Sequence, residues 1–239
     1  MGYMQYNLHV MKVQDLTDDL DYKLEPIIHL KNGRPVPVCY ELLLRSKKSQ
    51  VFPREVLLQA LADEEINDEL LTWKKQRLLK LFQSKKYPLL SINLAPQQLY
   101  YASTWRFLKE LIPYQQQLVI EITEEPALQM EGSFYDQIKA LRELGFAIAL
   151  DDVGTGQNNQ EMVSYNSDFL AAIKFSLLQY STQQLAERVK AMVQWKNLAQ
   201  QKGLILVVEG IETLQEADLF ATYGCLQQGY LWNKWLCLQ

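Results

Sequence analysis

Short apolar segments alternate with amphipathic segments along most of this chain, and the alternation limits the folds that it can adopt. Eight apolar segments have the length and flanking turn residues of strands, and they span 24–30, 36–45, 89–93, 118–123, 146–151, 169–174, 204–209 and 225–228. Segments with a helical spacing of apolar residues lie between most of them, among them 53–62, 66–83, 182–201 and 213–223. This alternation predicts a parallel sheet covered by helices, and eight strands in one domain favour a closed (β/α)8 barrel over an open sheet.

The first two predicted strands depart from the alternation, because only a short turn at 31–34 separates them. A connection this short joins antiparallel neighbours, since parallel neighbours need a long crossover. The expected fold is therefore α/β, a modified TIM (β/α)8 barrel with an antiparallel first strand pair. Residues 1–22 are expected to form an N-terminal arm or helix, residues 23–239 a single barrel domain, and the polar segment 157–168 an irregular loop.

The composition argues against several classes of function. Hydrophobic residues make up 48% and charged residues 22% of the 239 positions, which is ordinary for a globular protein with a substantial core. The net charge of −4 argues against bulk binding of nucleic acid or of an anionic membrane. The 3 cysteines are too widely spaced for a disulfide framework or a cysteine-rich zinc site, and we find no signal-peptide pattern or membrane-spanning apolar run. We therefore expect a cytoplasmic protein.

The segment from Ala147 to Gly156, AIALDDVGTG, contains two adjacent carboxylates at the end of a predicted buried strand. Asp151 and Asp152 repel each other unless cations or hydrogen-bond donors compensate them. A single aspartate at this position has an ordinary explanation, which is to cap the following helix. For a pair of aspartates followed by glycines, metal binding is a competing explanation.

Polar residues also mark the carboxyl ends of the other predicted strands, the end at which barrels place their active sites. They are Glu41 and Arg45 on the second strand, Asn93, Glu121 with Glu124 just beyond it, Lys174, Glu209 and Gln228. Taken singly, each could be a helix cap, an ion-pair partner or a solvated residue of the rim. Their convergence on one rim is not explained in this way.

The residue types indicate the chemistry. Carboxylates with an amide oxygen, and without clustered histidine or cysteine, suit Mg²⁺, Mn²⁺ or Ca²⁺ rather than zinc. Adjacent aspartates can share two cations, and a pair of metals is a common device for in-line displacement at phosphorus. Lys174 could hold and polarise the attacking water, and Glu209 could accept its proton. His9 and His29 lie too early in the chain to be the first choice of base.

Seven short motifs, in order, resemble those of one known family. They are ELLLR at 41–45 (EALxR), NLAP at 93–96 (NLSP), EITE at 121–124 (ExTE), DDVGTG at 151–156 (DDFGTG), IK at 173–174 (the start of KxD), EGIE at 209–212 (EGVE) and QGY at 228–230. Each motif is weak alone, but together they make residues 24 to about 232 similar to the EAL-domain phosphodiesterases. That family opens cyclic di-GMP to linear pGpG with two divalent cations, on a modified TIM barrel whose first strand pair is antiparallel.

The resemblance implies a role for each matching residue. The ligands of one cation would be Glu41, Asn93, Glu121 and Asp151, and those of the second Asp151 and Asp152. Lys174 would lie near the nucleophilic water and Glu209 would be the general base. Substrate would contact Leu43, Arg45 and Gln228, while Glu124 would anchor the loop after Asp152 and Glu212 would play a supporting role. The implied cofactors are two divalent cations, Mg²⁺ or Mn²⁺, with Ca²⁺ inhibitory, and the implied partners are cyclic di-GMP and a second copy of the chain in a homodimer.

The chain also departs from the family pattern. Leu42 replaces the alanine of EAL and could crowd the guanine pocket, Val153 replaces a phenylalanine, and Ser176 replaces the aspartate of KxD. Glu25 places a carboxylate where the family has an amide that contacts ligand, and the loop after Gly156 is altered. Every implied metal ligand is present, which favours an active phosphodiesterase. The alternative is a weak or inactive domain that acts as a cyclic di-GMP receptor or as a protein-interaction module.

Overall fold

The computed structural model describes residues 17–125 and 133–237, and within them eight strands close into one barrel. The strands are β1 Leu20–Lys31, β2 Arg34–Ser46, β3 Leu90–Leu94, β4 Leu118–Ile122, β5 Ala147–Leu150, β6 Ala172–Ser176, β7 Ile205–Glu209 and β8 Leu226–Gln227. β1 is antiparallel to both of its neighbours, β2 and β8, and the other neighbouring pairs are parallel. The predicted modified TIM barrel with an antiparallel first strand pair is confirmed.

Helices form the outer layer of the barrel. They are α1 Arg54–Ala62, α2 Glu64–Ser84, α3 Ala102–Glu110, α4 Phe134–Glu143, α5 Gln160–Asn166, α6 Leu185–Lys202, α7 Leu214–Ala221 and α8 Tyr230–Leu236. α2 begins after Asp63, whose side chain accepts from the N–H groups of Glu65 and Ile66. None of the described helices is both long and apolar enough to cross a bilayer.

Two helices and several boundaries differ from the sequence-based expectations, and α6 begins at Leu185 rather than at 182. α5 lies within the segment that we expected to be irregular, and it begins where the Asn159 side chain accepts from the Met162 N–H. Its seven residues are too few to show a helical period in the sequence. α8 follows β8 and was not predicted. β1 begins at Leu20, so residues 20–22 of the predicted arm belong to the barrel, and residues 1–16 lie outside the described residues. β6 begins three residues later than predicted, because Ser167–Phe169 form a 3-10 turn.

The parallel strands place apolar side chains on their helix-facing side. Toward the barrel axis, apolar side chains such as Val119 and Val207 come first, and polar side chains follow near the carboxyl ends. On β4, Leu118, Ile120 and Ile122 are fully buried in the main apolar core, while Glu121 between the last two faces inward. The same alternation makes Lys174 an inward-facing residue of β6. Strand register then aligns Asn93 with Glu121. The carboxyl ends of the parallel strands therefore bring polar groups to one end of the barrel.

Candidate active site

Lys174 lies at the centre of a buried acidic cluster. Its Nζ is 2.9 Å from Glu41 Oε2, 2.7 Å from Glu121 Oε2 and 2.7 Å from Glu209 Oε1. Asp151 Oδ1 is slightly farther away, at 3.3 Å. Glu41, Glu121 and Lys174 are buried, so the contacts of Lys174 with these two glutamates are shielded from water. The structure thus brings together five residues that the sequence placed on five different strand ends.

Four carboxylates facing one ammonium leave the cluster with excess negative charge. Burial raises the pKa of Glu121 to about 8 and that of Asp151 to about 6, and it raises the pKa of Glu209 well above its usual range. For Glu41, burial is outweighed by the charge of Lys174 and by hydrogen bonds, so its pKa is lowered. For Lys174, the four surrounding carboxylates outweigh burial and raise its pKa. A divalent cation would relieve the repulsion among these carboxylates.

Two amide side chains donate to Glu41, and each has a buried carbonyl oxygen without a partner among the described residues. Asn93 Nδ2 donates to Glu41 Oε1 at 2.6 Å, and Gln228 Nε2 donates to Glu41 Oε2 at 2.6 Å. Among the described residues, the buried Asn93 Oδ1 and Gln228 Oε1 have no hydrogen-bond partner. Buried polar oxygens are normally satisfied, so these two atoms indicate a ligand or ion at this position.

The donor set fits a divalent cation. Glu41, Glu121 and Asp151 each offer a carboxylate oxygen, and these oxygens lie within 4.8 Å of one another. The unpartnered Asn93 Oδ1 adds an amide oxygen to the set. Oxygen ligands of this kind are preferred by Mg²⁺ and Mn²⁺. The residues predicted to ligate the first cation are therefore close together.

Asp152 lies beside this cluster rather than within it. Its backbone is left-handed, with a φ of 44°, and its N–H donates to Asp151 Oδ1 at 3.0 Å. Its side chain accepts from Gln179 Nε2 at 3.3 Å, and its carbonyl accepts from Thr155 Oγ1 at 2.7 Å. These contacts make Asp152 a separate carboxylate next to Asp151.

The loop after Asp152 is held by backbone groups and by a buried amide. Asn158 Nδ2 donates to the Asp151 carbonyl at 2.5 Å, and the Gln157 N–H donates to the Glu124 carbonyl at 3.3 Å. The predicted anchor Glu124 thus contacts the loop through its main chain. Sequence reasoning missed Asn158 and Gln179, although an asparagine two residues after a Gly-Thr-Gly turn is a typical loop residue.

A cleft of about 160 Å³ opens beside the acidic cluster, at the ends of β2 and β3. Leu43 and Arg45, two of the predicted substrate contacts, line it together with Glu41, Asn93 and Asp151. Arg45 Nη1 donates to the Leu44 carbonyl at 2.8 Å. Lys74 of α2 also lines this cleft, and sequence reasoning missed it because a lysine within an amphipathic helix is usually solvated.

Three other predicted or noted residues are not among the ion-pair partners of Lys174. The Glu212 side chain is exposed, and its backbone N–H donates to Glu216 Oε2 at 3.0 Å. Glu25 lies opposite Glu41 in the antiparallel register, and Lys23 Nζ neutralises it at 2.7 Å. Val153 is fully buried in the apolar core. A supporting role for Glu212 therefore remains a prediction.

Comparisons with known proteins point to one family. The family model described as EAL domain matches residues 13–234. The chain is 29% identical over 217 residues to the cyclic di-GMP phosphodiesterase TpdA of Vibrio parahaemolyticus, covering 88% of this chain and 36% of that protein. The chain spans about a third or less of the length of the curated relatives it matches.

Solved structures share the fold. The PaMucR phosphodiesterase in a c-di-GMP complex superposes with a TM-score of 0.73 at 20% identity, covering 90% of each chain. Klebsiella pneumoniae BlrP1 in a manganese/cy-diGMP complex gives a TM-score of 0.71 at 25% identity, covering 89% of this chain and 55% of that chain. A calcium/cy-diGMP complex of the same Klebsiella protein also gives a TM-score of 0.71.

Proposed function

The chain belongs to the EAL domain family, and we propose that it is a metal-dependent phosphodiesterase that hydrolyses cyclic di-GMP to linear pGpG. One observation carries the proposal. Glu41, Glu121, Asp151 and Glu209 converge on Lys174 at the carboxyl end of the barrel, and Asn93 Oδ1 lies beside them without a partner. The similarity to a curated cyclic di-GMP phosphodiesterase supports the choice of substrate.

We assign the cation ligands from the cluster and from the adjacent loop. One cation would be held by Glu41, Asn93, Glu121 and Asp151, and a second by Asp151 and Asp152. Divalent cations there supply Lewis acidity and neutralise charge on the phosphodiester during its displacement. Asp151 is suited to serve both positions, because its carboxylate lies in the cluster while its neighbour Asp152 lies just outside it.

Glu209 is the general base of this proposal. Its carboxylate would accept the proton of the water that attacks phosphorus, while the bond to the leaving ribose oxygen breaks. Lys174 Nζ is 2.7 Å from Glu209 Oε1 and therefore orients this carboxylate. The same ammonium would donate to the attacking water through an N–H that is released when Glu41 or Glu121 binds a cation, which would keep the nucleophile next to its proton acceptor.

The cleft at the ends of β2 and β3 would bind the nucleotide. Arg45 and Leu43 lie on its wall, and Gln228 donates to Glu41, which also lines the cleft. We assign a substrate phosphate to Arg45, and contacts with ligand or water to Gln228. A nucleotide in this cleft would have one phosphodiester next to the acidic cluster.

A cyclic di-GMP receptor without turnover is the second candidate, and one observation favours it. Lys174 contacts four carboxylates, so its ammonium offsets part of the charge that cations would otherwise offset. A domain of this kind could bind the nucleotide through the cleft without cleaving it.

The test is a hydrolysis assay on the purified chain, with cyclic di-GMP and pGpG separated chromatographically. We expect pGpG with Mg²⁺ or Mn²⁺, and none with EDTA or with Ca²⁺. Binding of cyclic di-GMP without pGpG under every metal condition would favour the receptor. Absence of both binding and turnover would favour a protein-interaction module.

A further inference from the structure

Lys74 is a buried cation on the wall of the cleft. It lies in the middle of α2, and its side chain is only 5% exposed. Its Nζ donates to the backbone carbonyl of Asn93 at 3.1 Å. Within residues 17–125 and 133–237 it forms no ion pair with a carboxylate.

An ammonium in this position is unfavourable unless a further group binds to it. Removing an ion from water costs several kcal/mol, and a neutral carbonyl offsets only part of that cost. The ammonium has three N–H donors, and the Asn93 carbonyl accepts from one of them. An apolar side chain of similar length would pack beside Leu70 and Leu71, which are buried on the same helix, without this penalty.

The surroundings of Lys74 indicate an anionic ligand. The cleft is lined by apolar side chains that include Leu42, Leu44 and Leu70, and by Glu41, Asn93 and Asp151 of the site. A ligand that reaches the acidic cluster through this cleft therefore passes alongside Lys74. The anionic groups of a cyclic dinucleotide are its phosphodiesters, and lysine binds phosphate oxygens as a compact point charge.

We propose that Lys74 is a substrate-binding residue that donates to a phosphoryl oxygen of the cyclic dinucleotide in this cleft. The inference rests on the proposed function, since it takes cyclic di-GMP as the ligand. It adds the ammonium group of Lys74, on α2, to the substrate contacts that are assigned above to Leu43 and Arg45 of β2. A purely structural alternative is that Lys74 holds the end of β3 through the Asn93 carbonyl.

The experiment compares Lys74→Met and Lys74→Gln with the control Lys80→Met, which removes an exposed charge from the same helix. Titration calorimetry with cyclic di-GMP in Ca²⁺, where we expect no turnover, gives the Kd. Thermal unfolding and Mn²⁺ titration of the same proteins report on the structural role. Glutamine keeps a donor that can reach the Asn93 carbonyl but removes the charge.

We expect both Lys74 variants to weaken cyclic di-GMP binding by roughly 10- to 100-fold, the usual effect of losing a charged hydrogen bond. Lys74→Met should melt at the wild-type temperature or above it, because it removes an unpaired buried charge. Mn²⁺ affinity should not fall in either variant, and Lys80→Met should match wild type in all three measurements.

Three results would overturn the inference, and they differ in what else they imply. An unchanged Kd in both variants, with wild type binding, would remove Lys74 from the substrate site and leave the proposed function intact. A lower melting temperature and weaker binding in Lys74→Met, both restored in Lys74→Gln, would assign the residue to structure. If wild type binds no cyclic di-GMP with any metal, the proposed function fails as well.

Discussion

Glu209 and Lys174 face each other at 2.7 Å, yet the function proposed for each depends on a different property. The carboxylate is assigned to accept a proton, whereas the ammonium is assigned to orient groups by donating. Substituting the carboxylate by its amide separates these two roles, because the shape and the contact with Lys174 can persist.

Glu209→Gln should therefore abolish nearly all hydrolysis while binding survives. Loss of a general base typically costs about 10²–10⁴-fold in rate. The measurements are kcat for pGpG formation in Mn²⁺ and the Kd for cyclic di-GMP in Ca²⁺. Glu187→Gln, which changes an exposed carboxylate on α6, is the matched control. A kcat within a few-fold of wild type would assign the proton acceptor elsewhere.

The raised pKa values of the cluster predict how stability depends on pH when metal is removed. The pKa of Glu121 rises from 4.5 to about 8, and that of Asp151 from 3.8 to about 6. At pH values between the unfolded and the folded pKa of each group, the folded protein therefore binds more protons than the unfolded chain. The free energy of unfolding then falls as pH rises. The contribution of each carboxyl group to folding stability is complete below its unfolded pKa, and it is lost as pH rises through its folded pKa.

In EDTA, the melting temperature should accordingly fall as pH rises from 5 to 8. Mn²⁺ should raise the melting temperature most at pH 8, because a cation neutralises the carboxylates that repel each other there. Thermal melts at several pH values, with EDTA and with Mn²⁺, measure both effects. A melting temperature in EDTA that stays level or rises across this range would disagree with the direction of these pKa shifts.

At the scale of elements, the loop between β5 and α5 connects Asp152 to the end of β4. Gly156 makes the closest approach, since a Cβ atom added to it would lie 2.3 Å from the Glu124 carbonyl oxygen. Its φ of +47° also favours glycine. The position of Asp152 therefore depends on a backbone contact that tolerates no side chain.

Gly156→Ala should destabilise the fold and lower turnover. Left-handed strain costs roughly 1–2 kcal/mol for alanine, and the clash with Glu124 adds to it. Gly224→Ala is the control, because its φ is +65° but an added Cβ would meet nothing within 4 Å. Urea unfolding and pGpG formation should show a larger loss for Gly156→Ala in both measurements. Equal losses in the two variants would mean that the close approach has no effect.

The strand ends were the most predictable elements, and the loops the least. Parallel strands end at one rim, so the sequence positions of Glu41, Asn93 and Glu121 were enough to predict their proximity. Asn158 depends on how one loop folds back onto Asp151, and no periodic pattern records that contact. Lys74 is similar, because its burial arises from the packing of α2 across the ends of β2 and β3.

At the scale of the whole molecule, the fold was predictable because apolar strand segments and amphipathic helical segments alternate along the chain. The short turn after β1 determined the antiparallel pair, and the number of strands favoured closure. The pairing of β1 with β8, which closes the barrel, joins residues that are far apart in the chain and has no local pattern. This pairing of β1 with β8 could be expected only because the predicted fold class is a closed barrel.

A homodimer remains a prediction at this scale. Tyr165 on α5 is 67% exposed and Leu178 after β6 is 61% exposed, and both lie on segments close to the loop that follows Asp152. Light scattering should give about twice the 27.8 kDa mass of one chain. Tyr165→Asp should shift the protein toward monomer, whereas Tyr230→Asp, which changes a 68% exposed residue of α8, should not. A monomeric wild type at every concentration would contradict the prediction.

The central claim is that Asp151 is a ligand of divalent cations in a site where cyclic di-GMP is hydrolysed. The most direct measurement is Mn²⁺ affinity by calorimetry together with the rate of pGpG formation, in wild type, Asp151→Asn and Asp152→Asn. We predict that wild type forms pGpG only with metal. Asp151→Asn should lose more Mn²⁺ affinity and more activity than Asp152→Asn, because Asp151 lies within the cluster and Asp152 lies beside it. Turnover that persists in excess EDTA, or in Asp151→Asn at close to the wild-type rate, would contradict the claim.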